Sequence, residues 1–201
     1  MPVQEHPSRR LILKRTIAVG GLALGAQHAA PLFAQTAAAP TPECRDGDDP
    51  TEPAIEGPFF KPRSPERADL VEPATRGSIY QLEGVVLTRH CRPVAGVLLD
   101  LWHADENGDY DDRGFRYRGH LFSDTQGRYR FRTILPGLYP GRTRHYHLKV
   151  QAPRQRILTT QLYFPNEPRN RIDEFFSPQL LMHISQGSAL ISARFDFILN
   201  I

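Results

Sequence analysis

Short runs of apolar and β-branched residues recur between residues 79 and 199, and turn residues such as those at 124–127 separate them. The runs lie at 79–87, 97–102, 129–134, 146–150, 158–164 and 189–199. Residues 128–132 alternate between arginine and aromatic side chains, which is the period of a strand with one face in water. Few segments show a helical period, so we expect only short helical turns, such as one over 171–176. The pattern predicts an all-β chain that folds as a single β-sandwich with long loops.

The sequence divides into three parts by composition. Residues 1–34 have the features of an export signal. Residues 35–53 are rich in alanine, proline, threonine and aspartate and predict a flexible or extended arm. Residues 54–201 then form the β-sandwich domain, whose length is ordinary for one domain.

The amino terminus matches the twin-arginine export motif. Arg9 and Arg10 lie in the sequence SRRLILK, an apolar run follows at 17–24, and cleavage is expected after Ala34 or Ala39. The run is short and interrupted by glycine, which disfavours a membrane span. We therefore expect the twin-arginine translocase to export the protein to the periplasm or out of the cell. An uncleaved membrane anchor is the alternative.

Charge gives no indication of nucleic-acid binding. The chain has a formal net charge of +3, and residues 1–34 contain four basic residues and one acidic residue, an excess of three. Without this segment the protein is neutral by formal count. The basic character therefore belongs to the export signal, and we expect no nucleic-acid partner.

Two phenols and two imidazoles fall in one region of the sequence. Tyr139, His145 and His147 lie within nine positions, and Tyr110 precedes them. If residues 145–151 form a strand, the side chains of His145 and His147 point to the same face, about 7 Å apart along the strand. Both imidazoles can then bind one metal ion.

The mixture of donors favours ferric iron. Imidazole alone suits zinc, copper, nickel or iron, whereas a phenolate is a hard anionic donor that matches a highly charged cation. Fe(III) bound by two tyrosinates, two neutral histidines and one hydroxide has no net charge and can therefore be buried. A free tyrosine has a pKa of about 10, so the charge of the metal must displace both phenolic protons. We predict a non-heme Fe(III) site.

Several motifs together resemble the intradiol ring-cleavage dioxygenases, the family of protocatechuate 3,4-dioxygenase, catechol 1,2-dioxygenase and hydroxyquinol 1,2-dioxygenase. The resemblance covers residues 51–164. It is carried by EGPFF at 56–60, by the tyrosine motif at 102–111, by 118–119 and 131–134, and by 136–140 with Arg142, His145 and His147. It also implies a β-sandwich.

The resemblance implies a role for each ligand. Tyr110 and His145 match the equatorial iron ligands, while Tyr139 and His147 match the axial ones. Tyr139 is the ligand that leaves and accepts a proton when a catechol binds. The implied substrates are a catechol and O2, and the implied product is a muconate-type diacid whose ring has opened between the two hydroxylated carbons. The residues do not indicate which catechol is used.

Two further residues match functional positions of the family. Arg142 matches an arginine that stabilises charge on the activated substrate, and Gln161 matches a glutamine that donates a hydrogen bond to substrate or intermediate. The chain departs from the common pattern at Thr143 and Arg144, where many members have Pro-Ala, and at Tyr146, where isoleucine is frequent. These departures affect substrate choice more than iron binding. Oligomeric state stays open, since members form dimers and larger assemblies, and a homo-oligomer is among the expected forms.

Cys44 and Cys91 are the two cysteines of the chain. After export both would lie in an oxidising compartment. They form either one disulfide that ties the amino-terminal arm to the first hairpin or two buried thiols, and the sequence does not decide between these states.

Three other interpretations fit the sequence less well. The acidic segment 105–112 resembles a calcium loop, but Tyr110 occupies the position of the EF-hand glycine and Arg116 that of the final glutamate. A non-catalytic transthyretin-like or carbohydrate-binding sandwich would leave the tyrosine and histidine positions unexplained. A zinc hydrolase would favour histidine with carboxylate or thiolate over two phenolates.

Overall fold

Nine strands and two short 3-10 helices make up the part of the chain that the computed structural model describes, residues 44–187 and 190–201. The strands are β1 (Ile79–Thr88), β2 (Leu98–Trp102), β3 (Arg118–Phe122), β4 (Arg128–Ile134), β5 (His145–Gln151), β6 (Leu158–Tyr163), β7 (His183–Gln186), β8 (Ile191–Arg194) and β9 (Phe197–Leu199). The helices span Pro168–Arg171 and Pro178–Leu180. The predicted export signal at 1–34 lies outside the described residues.

The strands form two sheets. One has the order β4-β1-β8-β7, with β9 also paired to β1, and the other has the order β3-β2-β5-β6. β1 pairs antiparallel with β4 and parallel with β8 and β9, whereas all pairs of the second sheet are antiparallel. The predicted all-β sandwich is confirmed.

The core lies between the sheets. In the second sheet Leu101 pairs with Leu148, and Leu99 with Val150, so these side chains share the inner face. All four are fully buried, as are Leu82 and Phe131 of the first sheet, which are register partners on β1 and β4. Burial of these side chains stabilises each by about 1.5–3 kcal/mol relative to exposure.

Two details differ from the sequence prediction. The run at 189–199 contains two strands, β8 and β9, which both pair with β1, because the ladder is interrupted at 195–196, where the Val85 N–H donates to the Asp196 side chain instead. The short helical turn expected over 171–176 lies earlier, at Pro168–Arg171, where a proline occupies the first turn of the helix.

The outer face of the second sheet carries the predicted site residues. Strand side chains alternate between faces, so His145 and His147 point away from the core that Tyr146 and Leu148 enter. In the ladder His147 is paired with Trp102 on one side and with Gln161 on the other. Side chains from β2, β5 and β6 are therefore neighbours in one row across the outer face of the sheet.

An extended segment, residues 52–60, covers this row. The backbone N–H of Ala54 donates to the Thr159 carbonyl at the edge of the sheet. The segment then crosses the outer face, where Glu56 forms an ion pair with Lys149. Phe60 packs against Trp102 with ring centroids 5.0 Å apart. The outer face is therefore enclosed at the site rather than open to water.

The described part of the predicted arm is attached to the domain. Cys44 and Cys91 form a disulfide with a Cα–Cα distance of 5.6 Å. The Thr51 backbone N–H donates to the Ile198 carbonyl, and the Ile198 N–H donates to the Thr51 hydroxyl. Of the two states left open by the sequence, the structure has the disulfide. Within the described ranges, no helix has the length and apolar character needed to cross a membrane.

Candidate functional site

Three of the four predicted ligands meet at one point on the outer face of the second sheet. The Tyr110 hydroxyl lies 3.2 Å from His145 Nε2 and 3.1 Å from His147 Nε2, and the two Nε2 atoms are 3.0 Å apart. His145 and His147 are brought together by their i, i+2 spacing on β5, and Tyr110 approaches from the loop after β2. Tyr110 is therefore in contact with two histidines that lie 35 and 37 positions further along the chain.

The orientation of each imidazole has a separate cause. The Nδ1 atom of His145 lies 2.6 Å from the Thr143 carbonyl, and it must carry the proton to donate to that oxygen. Its Nε2 therefore presents a lone pair to the meeting point. His147 stacks on Trp102, with ring centroids 4.9 Å apart and an interplanar angle of 7°.

Tyr110 is positioned by a closed turn and an aromatic stack. Asp105 Oδ1 accepts hydrogen bonds from the backbone N–H groups of Asn107 and Asp109, so this acidic residue organises the turn that precedes the tyrosine. Phe59, from the covering segment, stacks on the Tyr110 ring at 4.3 Å and 10°. The segment 105–112 is therefore a turn that directs Tyr110 inward.

Tyr139 lies beside Tyr110 on a neighbouring loop. The two loops pack backbone to backbone: Gly137 N–H donates to the Asp105 carbonyl, and a Cβ added at Gly137 would lie 2.2 Å from the Gly108 nitrogen. This close approach requires glycine at Gly137. The Tyr139 ring meets Tyr110 edge-on, with centroids 5.8 Å apart, and is half-buried. Among the described residues, its hydroxyl makes no hydrogen bond to the three converging atoms.

Burial sets the protonation state of these groups. It lowers the pKa of His145 to about 4, helped by the positive charge of Arg142, and burial followed by the charge of His145 lowers the pKa of His147 well below its ordinary value. Both imidazoles are thus neutral near pH 7, the form that binds metals. Burial also raises the pKa of Tyr110, so this phenol needs a nearby cation to ionise.

The donor set fits a ferric ion. Two neutral imidazoles and a phenol converge within 3.2 Å, and the backbone of Gly57 passes directly beside them, since a Cβ there would lie 3.4 Å from His147 Cε1. In the described ranges no three histidine, cysteine, aspartate or glutamate side chains are arranged to hold a metal. The donors at this point are imidazole and phenol, which disfavours a zinc hydrolase site.

Arg142 is held in a fixed position. Its Nε donates to both carboxylate oxygens of Asp173, at 2.9 and 3.1 Å, and its Nη2 donates to Gln161 Oε1 at 2.6 Å. The Asp173 side chain is 1% exposed. Burial raises the pKa of Asp173, but the backbone N–H groups of Thr143 and Phe175, with Arg142, outweigh burial and hold the pKa below its ordinary value.

Gln161 supports this arrangement. It is fully buried, its Nε2 donates to the Ile55 carbonyl at 2.7 Å, and its Oε1 accepts from Arg142 and Tyr163. Gln161 therefore links the covering segment to Arg142. Its role as a donor to substrate stays a prediction.

No pattern in the sequence indicated Asp173, whose partner Arg142 lies 31 positions earlier. A buried carboxylate opposite a predicted active-site arginine is a sensible expectation, but the chain offers many acidic residues and no local spacing that selects this one. Phe59 and Trp102 lie inside the motifs at 56–60 and 102–111 that carry the family resemblance. Their aromatic character is the sequence signal for stacking.

The departures from the family pattern have structural partners. Arg144 forms an ion pair with Glu167 at 2.9 Å and donates to the Pro136 carbonyl. Tyr146 is fully buried and donates to the Ile134 carbonyl at 2.7 Å. Both side chains therefore contact the backbone shortly before Tyr139, at Ile134 and Pro136, and neither belongs to the converging donor set.

A family model described as dioxygenase matches residues 55–200. Among curated proteins, the chain is 33% identical over 147 residues to a hydroxyquinol 1,2-dioxygenase of Rhodococcus opacus, covering 61% of this chain and 49% of that protein. It is 31% identical over 137 residues to a chlorocatechol 1,2-dioxygenase of Pseudomonas sp. strain P51, covering 56% and 55%. The chain thus spans about half the length of these relatives.

Solved structures give similar matches. The dioxygenase domain of a dioxygenase and carbohydrate-binding protein fusion from Streptomyces sp. SirexAA-E is 52% identical, with a TM-score of 0.74, and the match covers 76% of this chain and 99% of that domain. A 3-chlorocatechol 1,2-dioxygenase from Rhodococcus opacus 1CP is 26% identical, with a TM-score of 0.70, covering 75% and 73%.

Proposed function

We propose that this chain, which belongs to the dioxygenase family, is an Fe(III)-dependent intradiol enzyme that incorporates both atoms of O2 into a catechol. The ring opens between the two hydroxylated carbons and gives a muconate-type diacid. Both oxygen atoms end in the product, so the reaction needs no external reductant. The observation that carries the proposal is the convergence of Tyr110 Oη, His145 Nε2 and His147 Nε2 within 3.2 Å.

Tyr110, His145, His147 and Tyr139 are the residues that would hold the metal. Bound Fe(III) would supply the Lewis acidity that favours the ionised catechol and would activate the ring rather than O2. The neutral imidazoles and the enclosed setting suit this group, because a trivalent ion with anionic donors can be buried without excess charge.

Tyr139 is the residue we assign to receive a substrate proton at Oη. Its ring is half-buried and makes edge contacts with Phe59 and Tyr110 at 5.4 and 5.8 Å, whereas Tyr110 is stacked and hydrogen-bonded. Tyr139 therefore has fewer of these contacts to break than Tyr110 when it leaves the metal. A phenolate at this position acts as the general base for one catechol hydroxyl.

Arg142 provides a permanent positive charge beside the site. A guanidinium does not lose its proton at physiological pH, and Asp173 with Gln161 fixes where the charge lies. We assign it to stabilise negative charge that develops on the substrate. Such a preorganised charge in a water-poor site contributes more to catalysis than the same charge in water.

Oxygen uptake tests the proposed activity. Iron-loaded protein would be given catechol, protocatechuate, hydroxyquinol and chlorinated catechols, and we expect at least one to consume O2 with one diacid formed per O2. Tyr139→Phe should keep its iron but lose catalysis by about 10²–10⁴-fold, the usual contribution of a general base. Full activity in this variant would contradict the role of Tyr139, and absence of ring cleavage across the panel would contradict the function.

We also propose that the enzyme works outside the cytoplasm. The twin-arginine motif at Arg9 and Arg10 supports export of a folded protein, which suits an enzyme that acquires its metal before translocation. The Cys44–Cys91 disulfide agrees with an oxidising compartment. Cell fractionation should find the wild-type protein outside the cytoplasm and the Arg9→Lys, Arg10→Lys variant inside it. Unchanged export of the variant would contradict this proposal.

A further inference from the structure

Arg118 is a buried arginine to which the proposed mechanism gives no role. It lies on β3 next to Trp102 in the strand ladder and is 1% exposed. An unpaired cation is costly to bury, so its contacts need an explanation. Its hydrogen bonds go to backbone carbonyls: Nη1 donates to Phe59 at 2.6 Å and Nε donates to Asp111 at 3.1 Å.

The two carbonyls belong to residues that adjoin Tyr110, one by ring contact and one along the chain. Phe59 is the ring that stacks on Tyr110, at 4.3 Å and 10°, and Asp111 is the next residue in the chain. A single guanidinium therefore joins the covering segment to the loop that carries the tyrosine. Because the guanidinium group is planar and rigid, its two hydrogen bonds fix the distance between the covering segment and the Tyr110 loop.

Asp111 is itself held by its turn. Its side chain accepts hydrogen bonds from the backbone N–H groups of Gly114 and Arg116, at 2.7 and 2.8 Å. The Arg118 contact thus connects to a rigid loop. Within the described part of the chain Tyr139 is held differently: its carbonyl accepts from the Arg142 N–H at 3.1 Å and from Arg169 at 3.4 Å, and its ring is half-buried.

We propose that Arg118 is the positioning residue that keeps Tyr110 as the permanent phenolate ligand, by bridging the Phe59 and Asp111 carbonyls and by placing a fixed positive charge near the phenolate. The inference rests on the proposed iron site. In this proposal Arg118, which is not itself a metal ligand or a substrate contact, is the reason why Tyr110 stays bound while Tyr139 leaves. Loss of Arg118 should loosen Tyr110 and weaken iron binding.

The visible spectrum can report Tyr110 separately. In the Tyr139→Phe background, the phenolate-to-iron charge-transfer band comes from Tyr110. In this background Arg118→Met removes both the bridge and the charge, whereas Arg118→Lys keeps the charge and removes the bidentate bridge. Arg67→Met is the matched control, because Arg67 also donates to two carbonyls of this region, Phe115 and Arg118, but not to Phe59 or Asp111.

We expect Arg118→Met to move the band to longer wavelength, since loss of a nearby cation raises the energy of the phenolate donor. Iron affinity should fall about 10- to 100-fold, as for other residues that orient metal ligands. Arg118→Lys should keep the band position but lose affinity, and Arg67→Met should change neither. Circular dichroism checks folding, and the lysine variant keeps the test available if the methionine variant does not fold.

Unchanged affinity in Arg118→Lys would overturn the bridging role, and unchanged band position in folded Arg118→Met would overturn the charge role. Either result leaves the proposed function intact if the Tyr139→Phe parent is coloured. A colourless iron-loaded parent and a colourless iron-loaded wild-type protein would instead contradict the proposed iron site itself.

Discussion

Asp173 shows how one buried side chain can control several parts of the site. Its carboxylate binds Arg142 through two contacts and also accepts the backbone N–H of Thr143 at 2.8 Å. The carbonyl of Thr143 in turn binds His145 Nδ1. One carboxylate therefore fixes both the catalytic charge and the backbone that orients a metal ligand.

Replacing Asp173 by asparagine should lower kcat by about a hundredfold, the cost of displacing a catalytic group by roughly 1 Å. Asparagine keeps the size of the side chain and loses the charge that holds Arg142. The measurement is steady-state oxygen uptake together with iron content, which should stay at the wild-type level.

Asp196→Asn is the matched control for this substitution. Asp196 also binds an arginine, Arg194, at 3.1 Å and a backbone N–H, that of Val85, at 2.8 Å, but it lies between β8 and β9 at the first sheet. It should lower stability without lowering kcat. Equal kcat values for wild type and Asp173→Asn would show that Asp173 does not position Arg142 for catalysis.

At the scale of elements, strand β5 places alternate side chains in the core and in the site. Tyr146, Leu148 and Val150 enter the core, while His145 and His147 face the site. This alternation explains why the strand and two ligands could be predicted from sequence, since an i, i+2 pair in a strand must share a face. The two loops that carry Tyr110 and Tyr139 meet through glycine contacts, which the sequence did not predict because they depend on how separate loops fold together.

Buried neutral histidines make the metal-free fold sensitive to acid. Burial lowers the pKa of His103 to about 3 and that of His145 to about 4, from 6.5 in the unfolded chain. Below pH 6.5 the unfolded chain binds protons that the folded chain does not. The free energy of unfolding should therefore be constant above pH 7 and fall steadily between pH 6.5 and pH 4.

Urea unfolding of iron-free protein at several pH values measures this dependence. His103→Gln should reduce the slope, because one of the three buried imidazoles, those of His103, His145 and His147, is removed. A free energy of unfolding that stays constant from pH 7 to pH 4 would contradict the assignment of buried, neutral histidines.

At the scale of the whole molecule, long-range contacts join the amino-terminal segment to the sandwich. The disulfide fixes this segment at Cys44, Thr51 pairs with Ile198, and residues 55–60 reach the site. The sequence predicted an all-β domain and located the ligand motifs. It could not predict β7 or the Asp173 contact, because β7 (HISQ) lacks an apolar run and depends on pairing with β8.

Removal of the disulfide tests this connection. A variant with Cys44→Ser and Cys91→Ser should lose about 2–4 kcal/mol of unfolding free energy, the usual effect of opening a loop of this kind; the cysteines are 47 positions apart. Urea denaturation of the iron-loaded protein measures the change. Wild-type protein under reductant is the control and should approach the variant. Identical midpoints for oxidised wild type and variant would show that the bond does not stabilise the fold.

The visible absorption spectrum of the wild-type protein loaded with one Fe(III) tests the central proposal most directly. Coordination by Tyr110 and Tyr139 predicts a broad phenolate-to-iron charge-transfer band, which should be lost in the double variant Tyr110→Phe, Tyr139→Phe. A colourless wild-type protein that nevertheless contains one Fe(III) per chain would contradict ligation by these tyrosines and, with it, the proposed ring-cleavage site.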